Sequence, residues 1–126
     1  MIHRRTSPLL ILLLACLATS ATAGEQPTAT VRFSRDILPL LARKCFACHG
    51  PADQEAGLAL HSRERAIGKT ESGQRAIVPG RPDQSQLLSR VRSTDPEMRM
   101  PHNEQPLSRD EITRLETWIA QGARYE

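Results

Sequence analysis

Residues 45–49 read Cys-Phe-Ala-Cys-His, flanked by Lys44 and Gly50. Two thiols three positions apart, with an imidazole directly behind the second, constrain this chain more than any other feature. Four occupants could draw those groups together: a zinc ion, a dithiol redox pair, a disulfide or a haem. The rest of the sequence discriminates among them.

The chain begins with a segment of another kind. Arg4 and Arg5 precede the apolar run Leu9 to Ala18, and small residues follow as far as Ala21-Thr22-Ala23. A basic region, an apolar stretch and an A-x-A site in that order read as a secretory signal, cleaved after Ala23. The apolar run is too short for a stop-transfer helix. A rival reading takes Leu13-Leu14-Ala15-Cys16 as a lipobox with a lipid anchor on Cys16, although Leu14 fits that pattern poorly. Both readings export the chain, with the periplasm the expected location, and neither leaves a transmembrane segment in the mature part. Without residues 1–23, Lys+Arg falls from 17 to 15 against 14 Asp+Glu, a net charge of +1. The arginines interleave with acids, so no nucleic-acid footprint is expected.

The mature part, about 103 residues, holds four aromatics: Phe33, Phe46, Trp118 and Tyr125. Cores of small domains depend on such side chains, and this one looks short of interior. Only two cysteines survive signal removal, which excludes a disulfide framework. A bulky apolar cofactor would supply the missing core.

Along the chain, 1–23 reads as signal peptide, 24–30 as a flexible leader and 31–126 as one domain. Phe33, Ile37, Leu40, Leu41 and Lys44 follow helix spacing. They predict a helix from about Asp36 to Lys44, capped by Ser34 or Asp36, with Pro39 tolerated in its first turn. Residues 50–80 read as long loop, with a short turn at Ser62 to Ile67. Pro82 to Arg92 predicts a second helix, carrying Leu87, Leu88 and Val91. The third begins at the S-x-x-E capping box of Ser108 and Glu111, presents Ile112, Leu115, Trp118 and Ile119, and stops at Gly122. No strand pair is evident. The fold class is all-α: three main helices and long loops.

A zinc finger needs a further histidine three to five residues after the first, or a second cysteine pair. His61 follows Cys48, but positions 65–67 hold no histidine, and His102 is distant. A zinc site built from Cys45, Cys48 and two histidines stays open as a rival. A reactive dithiol belongs at a helix N-terminus after a strand, whereas this pair follows a helix. Haem fits the spacing best. Each cysteine of C-x-x-C forms one thioether, and the adjacent His49 reaches the iron. An electron carrier needs a second axial ligand. Met100 is the first choice because Pro101 holds it extended, as a chain crossing a flat face would be; Met98 is the second, and His61 and His102 follow.

On these residues the chain resembles the planctomycete-type cytochrome c domain, a branch of the class I cytochromes c. The matching stretches are Phe33 to Leu41, Cys45 to Pro51, Gly57 to Leu60, Ile77 to Gly80, Pro82 to Arg90, Arg99-Met100-Pro101 and Leu107 to Ala123. The resemblance implies a cytochrome c fold around one covalent haem c, attached through Cys45 and Cys48, with His49 and Met100 as axial ligands. His102 stands where relatives usually have a second proline, and His61 where they usually have an acid. The implied function is one-electron transfer to redox partner proteins, as a free carrier or a haem subunit, without enzymatic activity of its own. The alternatives are a haem-based ligand sensor and a peroxidase-like haem enzyme subunit. Phe33, Ile37 and Leu41 are expected to pack on Leu115, Trp118 and Ile119. Leu58, Leu60, Ile77, Val78, Leu87, Leu88 and Val91 are expected to line the haem, with a carbonyl from Gly57 to Leu60 holding the second nitrogen of His49.

Overall fold

The computed structural model describes residues 29–126. The signal at 1–23, most of the 24–30 leader and Cys16 lie outside the described residues. Among the described residues there are five α-helices: α1 (Leu38–Lys44), α2 (Phe46–His49), α3 (Arg63–Ile67), α4 (Gln86–Arg92) and α5 (Arg109–Ala120). There is no strand among the described residues, only isolated bridges at His49–Gln54 and Lys69–Arg75. The described chain is all-α, and none of its helices is long and apolar enough to cross a membrane.

The first helix starts earlier than expected. A π-helical turn, Phe33–Ile37, runs directly into α1. Pro39, in the first positions of α1, has no N–H to donate to the carbonyl four residues back. The wider turn before it lets Leu38 N–H reach the Phe33 carbonyl instead. Neither Ser34 nor Asp36 is the N-cap; Arg32 holds that position. Asp36 accepts the Arg32 N–H from inside the turn, at 2.8 Å. The Arg35 guanidinium, followed by that N–H, holds the Asp36 carboxyl down at about 2.

This first segment packs where the sequence predicts. Ile37, Leu40 and Leu41 are buried together with Leu115, Trp118 and Ile119 of α5. Phe33 stacks on Tyr125 with ring centroids 4.0 Å apart, and Trp118 tilts against both. The Trp118 indole N–H donates to the Arg124 carbonyl at 2.9 Å, so its burial leaves no orphan donor. The chain returning past α5 is stitched to the start. Gln121 Oε1 accepts the Val31 N–H, and Glu126 Oε1 accepts the Phe33 N–H.

Both ends of α5 follow local chemistry. Ser108 Oγ accepts the Glu111 N–H, and the Glu111 carboxylate accepts the Ser108 N–H, completing the capping box. The second bond holds the Glu111 carboxyl below its ordinary range. At the other end Gly122 adopts φ +99°, and the N–H groups of Gly122 and Ala123 return to the carbonyls of Ile119 and Trp118. Arg63 of α3 donates to the Ala123 carbonyl, tying the middle of the chain to this terminus.

The segment from Pro82 to Arg92 is not one helix. A 3₁₀ turn, Pro82–Gln84, and α4 are separated by Ser85, whose backbone is extended. Ser85 is 3 % exposed. Its hydroxyl accepts the Val78 N–H at 2.9 Å and donates to the Arg81 carbonyl at 3.0 Å. A buried serine satisfied by the loop beneath it competes with the helix ladder. The break frees the Leu87 N–H for the Ala76 carbonyl.

The cysteine pair sits at a second break. Cys45 ends α1, donating to the Leu41 carbonyl, and its own carbonyl accepts the His49 N–H at 2.8 Å. Cys45, Cys48 and His49 therefore occupy positions i, i+3 and i+4 of one helical turn and share a face. Gly50 is required there. A β-carbon at 50 would be driven into the Phe46 carbonyl oxygen and lie 2.8 Å from Phe46 Cβ. Gly50→Ala is expected to destabilise the protein by about 1–3 kcal/mol through this overpacking, read as a lower denaturant midpoint. Ser108→Ala should cost about 1 kcal/mol and Ser108→Gly only a few tenths, measured in the same way.

Candidate cofactor site

Two cavities share Cys45, His49, Val91 and Met100 in their walls. The smaller, about 70 Å³, is also lined by Lys44, Cys48, Glu55, Pro101, His102 and Glu104. The larger, about 220 Å³, is walled on its apolar side by Leu58, Leu60 and Leu87. Cys45, Cys48, His49 and Met100, the four residues singled out from sequence, thus surround one region of the molecule.

Three segments build this region. The helical turn at 45–49 supplies two thiols and an imidazole. The loop beneath it turns at Ala56 and Gly57, both with positive φ, and then runs extended. In an extended run, residues two apart face the same side, and Leu58 and Leu60 both reach the larger cavity. The third segment carries the methionine. The Met100 N–H donates to the Arg90 carbonyl of α4 at 3.1 Å, and the peptide bond from Met100 to Pro101 is cis.

Rival ligands from the sequence are placed differently. Met98 is 45 % exposed, with its sulfur beside the Arg90 guanidinium, and lines neither cavity. His61 is exposed, and its ring meets Phe46 edge-on. His102 is exposed but does line the smaller cavity, next to Met100.

The electrostatics of the pair speak against thiolate chemistry. Burial, reinforced by Glu104, pushes the Cys45 thiol up to about 12. Desolvation and then Glu55 raise Cys48. A nucleophilic redox dithiol depends on the opposite shift. No group of three or more His, Cys, Asp and Glu residues suited to a metal ion occurs among the described residues.

His49 carries the clearest mark of a missing partner. Its Nδ1 is buried without a hydrogen bond. The expected carbonyl from Gly57 to Leu60 does not supply one. That stretch engages residue 49 through the backbone instead, with the Leu60 N–H on the His49 carbonyl at 2.8 Å. Buried polar atoms in folded proteins nearly always have partners, so this orphan fits a site that also takes a ligand. Two sulfurs able to form thioethers, an imidazole and apolar walls are groups that suit a covalently held haem, with the Met100 sulfur nearby.

The lining also departs from expectation. Ile77 and Leu88 are buried in the core, and they line neither cavity, nor does Val78. In their place stand Ala56, Thr70, Ser72, Gln74, Ala76, Gln86 and Arg90. Gln86 and Arg90 lie one turn apart beside Leu87 and Val91, so helix periodicity alone could have found them.

Residues 45–104 match the family model described as Planctomycete cytochrome C. No curated protein and no solved structure matches the chain. Cytochrome c domains carry covalent haem and generally transfer electrons rather than catalyse reactions. The match opens on the first thiol and closes just beyond the methionine loop, spanning most of the residues that wall the two cavities: over residues 45–104 the chain is similar to planctomycete-type cytochrome c.

Proposed function

We propose that this protein is an exported monohaem cytochrome c that transfers single electrons, as a free carrier or as the haem subunit of a larger assembly. Residues 1–23 act as the signal peptide, 24–30 as a leader and 31–126 as the functional domain, with a cytochrome c fold. The observation that carries the reading is the convergence of Cys45, His49 and Met100 on walls common to both cavities. When bound, the haem supplies a one-electron iron couple.

The residues divide the work of holding it. Cys45 and Cys48 anchor it through thioethers, which lets a small chain retain the group without enclosing it. His49, fixed by its helical turn and by Gly50, presents an imidazole to the iron. Met100, tethered to α4 through the Arg90 carbonyl, presents a thioether. Thioether ligation raises the reduction potential relative to a second nitrogen. Leu58, Leu60, Leu87 and Val91 keep water away. Cys48 is exposed, so the attached edge lies near solvent, where a redox partner can approach. Such encounters use small, transient interfaces.

Intact mass and the pyridine-denatured spectrum of the exported product test attachment. One haem per chain is expected; a colourless chain with the mass of its amino acids sinks the reading. Met100→Ala should abolish the weak near-infrared band of sulfur-ligated ferric haem and admit carbon monoxide. Persistence of that band would transfer the role to Met98. His102→Ala should leave the axial spectrum unchanged, and a high-spin product would overturn the Met100 assignment. Carbon monoxide binding by the unaltered protein would favour the sensor alternative.

A further inference from the structure

The charge lining the two cavities is opposite in sign. Glu55 and Glu104 line the smaller one, beside Lys44. No carboxylate lines the larger one, where Arg90 is the one cation among the described residues. Arg90 has no acidic partner among the described residues. Its guanidinium lies 3.4 Å from the Met98 carbonyl oxygen and 3.6 Å from the Met98 sulfur. A half-buried cation next to an apolar cavity, without a carboxylate, is poised for an anion.

Hydroxyls and amides accompany it. Thr70 to Gln74 form a tight turn: Thr70 Oγ1 lies 3.0 Å from Ser72 Oγ, and the Thr70 N–H donates to the Gln74 carbonyl. The Glu71 N–H ties this turn to the Ala56 carbonyl, at the cavity's other loop. The Gln86 N–H donates to the Arg75 carbonyl, which brings the start of α4 alongside, and Arg90 follows one turn later. Thr70, Ser72, Gln74, Gln86 and Arg90 thus all line a cavity that is also walled by Leu58, Leu60, Leu87 and Val91, and they form its polar strip. This pattern suits a ligand that is apolar over most of its surface and carries carboxylates at one edge.

We propose that this strip is the carboxylate site of the bound group: Arg90, assisted by Thr70, Ser72, Gln74 and Gln86, binds the haem propionates. The inference rests on the haem reading above. It sets the direction in which the group enters, with its carboxylates turned into the larger cavity and away from Glu55 and Glu104. It also gives Arg90 an electrostatic role. A guanidinium beside the propionates offsets negative charge that would otherwise favour ferric iron, and so raises the potential. The same residue holds Met100 through its backbone carbonyl, a bond that side-chain replacement leaves in place.

The test uses the covalently loaded full chain. Arg90→Gln should lower the midpoint potential and shift the propionate bending band in the resonance Raman spectrum, while the near-infrared sulfur band persists. Arg90→Lys should restore most of the potential. A purely structural role would lower thermal stability without moving the Raman band. Gln74→Lys, at an exposed position of the same strip, adds a cation and should raise the potential, which keeps the proposal testable if Arg90→Gln does not accumulate. Loaded variants with unchanged potential and unchanged propionate band overturn the proposal and leave the haem reading standing. A parent chain without covalent haem overturns both.

Discussion

The packing of the first helical segment on α5 is the constraint from which the rest of the molecule follows. Three of the chain's four aromatics, Phe33, Trp118 and Tyr125, meet at this junction. Around them lie Ile37, Leu40, Leu41, Leu115 and Ile119, all but sealed from solvent. The chain concentrates its large apolar groups where its beginning and its end cross. For apolar side chains the long middle part holds Phe46, two isoleucines and otherwise Leu, Val, Ala and Met. The cavities lie away from this junction, beside the cysteine pair and the methionine loop.

That space is assembled from opposite directions. A single turn of helix presents Cys45, Cys48 and His49 together, because i, i+3 and i+4 fall on one face. Met100 comes from the loop after α4, positioned through the Arg90 carbonyl. Between them runs the extended Leu58–Leu60 stretch, joined to the His49 carbonyl. Rigid backbone bonds, rather than side-chain contacts alone, thus set where each donor stands. For an electron carrier this matters, because little reorganisation is wanted when charge moves.

Much of this was legible because it is local. The capping box of Ser108 and Glu111, the apolar face of α5, the tolerance of Pro39 near a helix start and the spacing of Cys45 to His49 all follow from short-range rules. The pairing of Phe33, Ile37 and Leu41 with Leu115, Trp118 and Ile119 followed from there being few other large residues to pair. What escaped depends on long-range partners. Ser85 interrupts an otherwise helical pattern only because the Val78 N–H and the Arg81 carbonyl lie within its reach. The π turn at Phe33–Ile37 is a backbone answer to Pro39 that no propensity scale records. Ile77 and Leu88 look like any other cavity-lining residues until the core claims them. Arg90 reads as an ordinary charged helix position, and only the folded loops reveal that no acid among the described residues pairs with it.

The tail after α5 has a reach that its position in the chain conceals. The Tyr125 hydroxyl donates to the Leu60 carbonyl at 3.0 Å, 65 positions away in sequence, while the Leu60 N–H holds the His49 carbonyl. Burial keeps that phenol firmly protonated, so the donor persists well into alkaline solution. A mechanical linkage therefore runs from the stacked rings, through one leucine, to the residue behind the second thiol. Trimming a few residues beyond Ala123, or fusing a tag that pulls them away, amounts to loosening the imidazole from a distance.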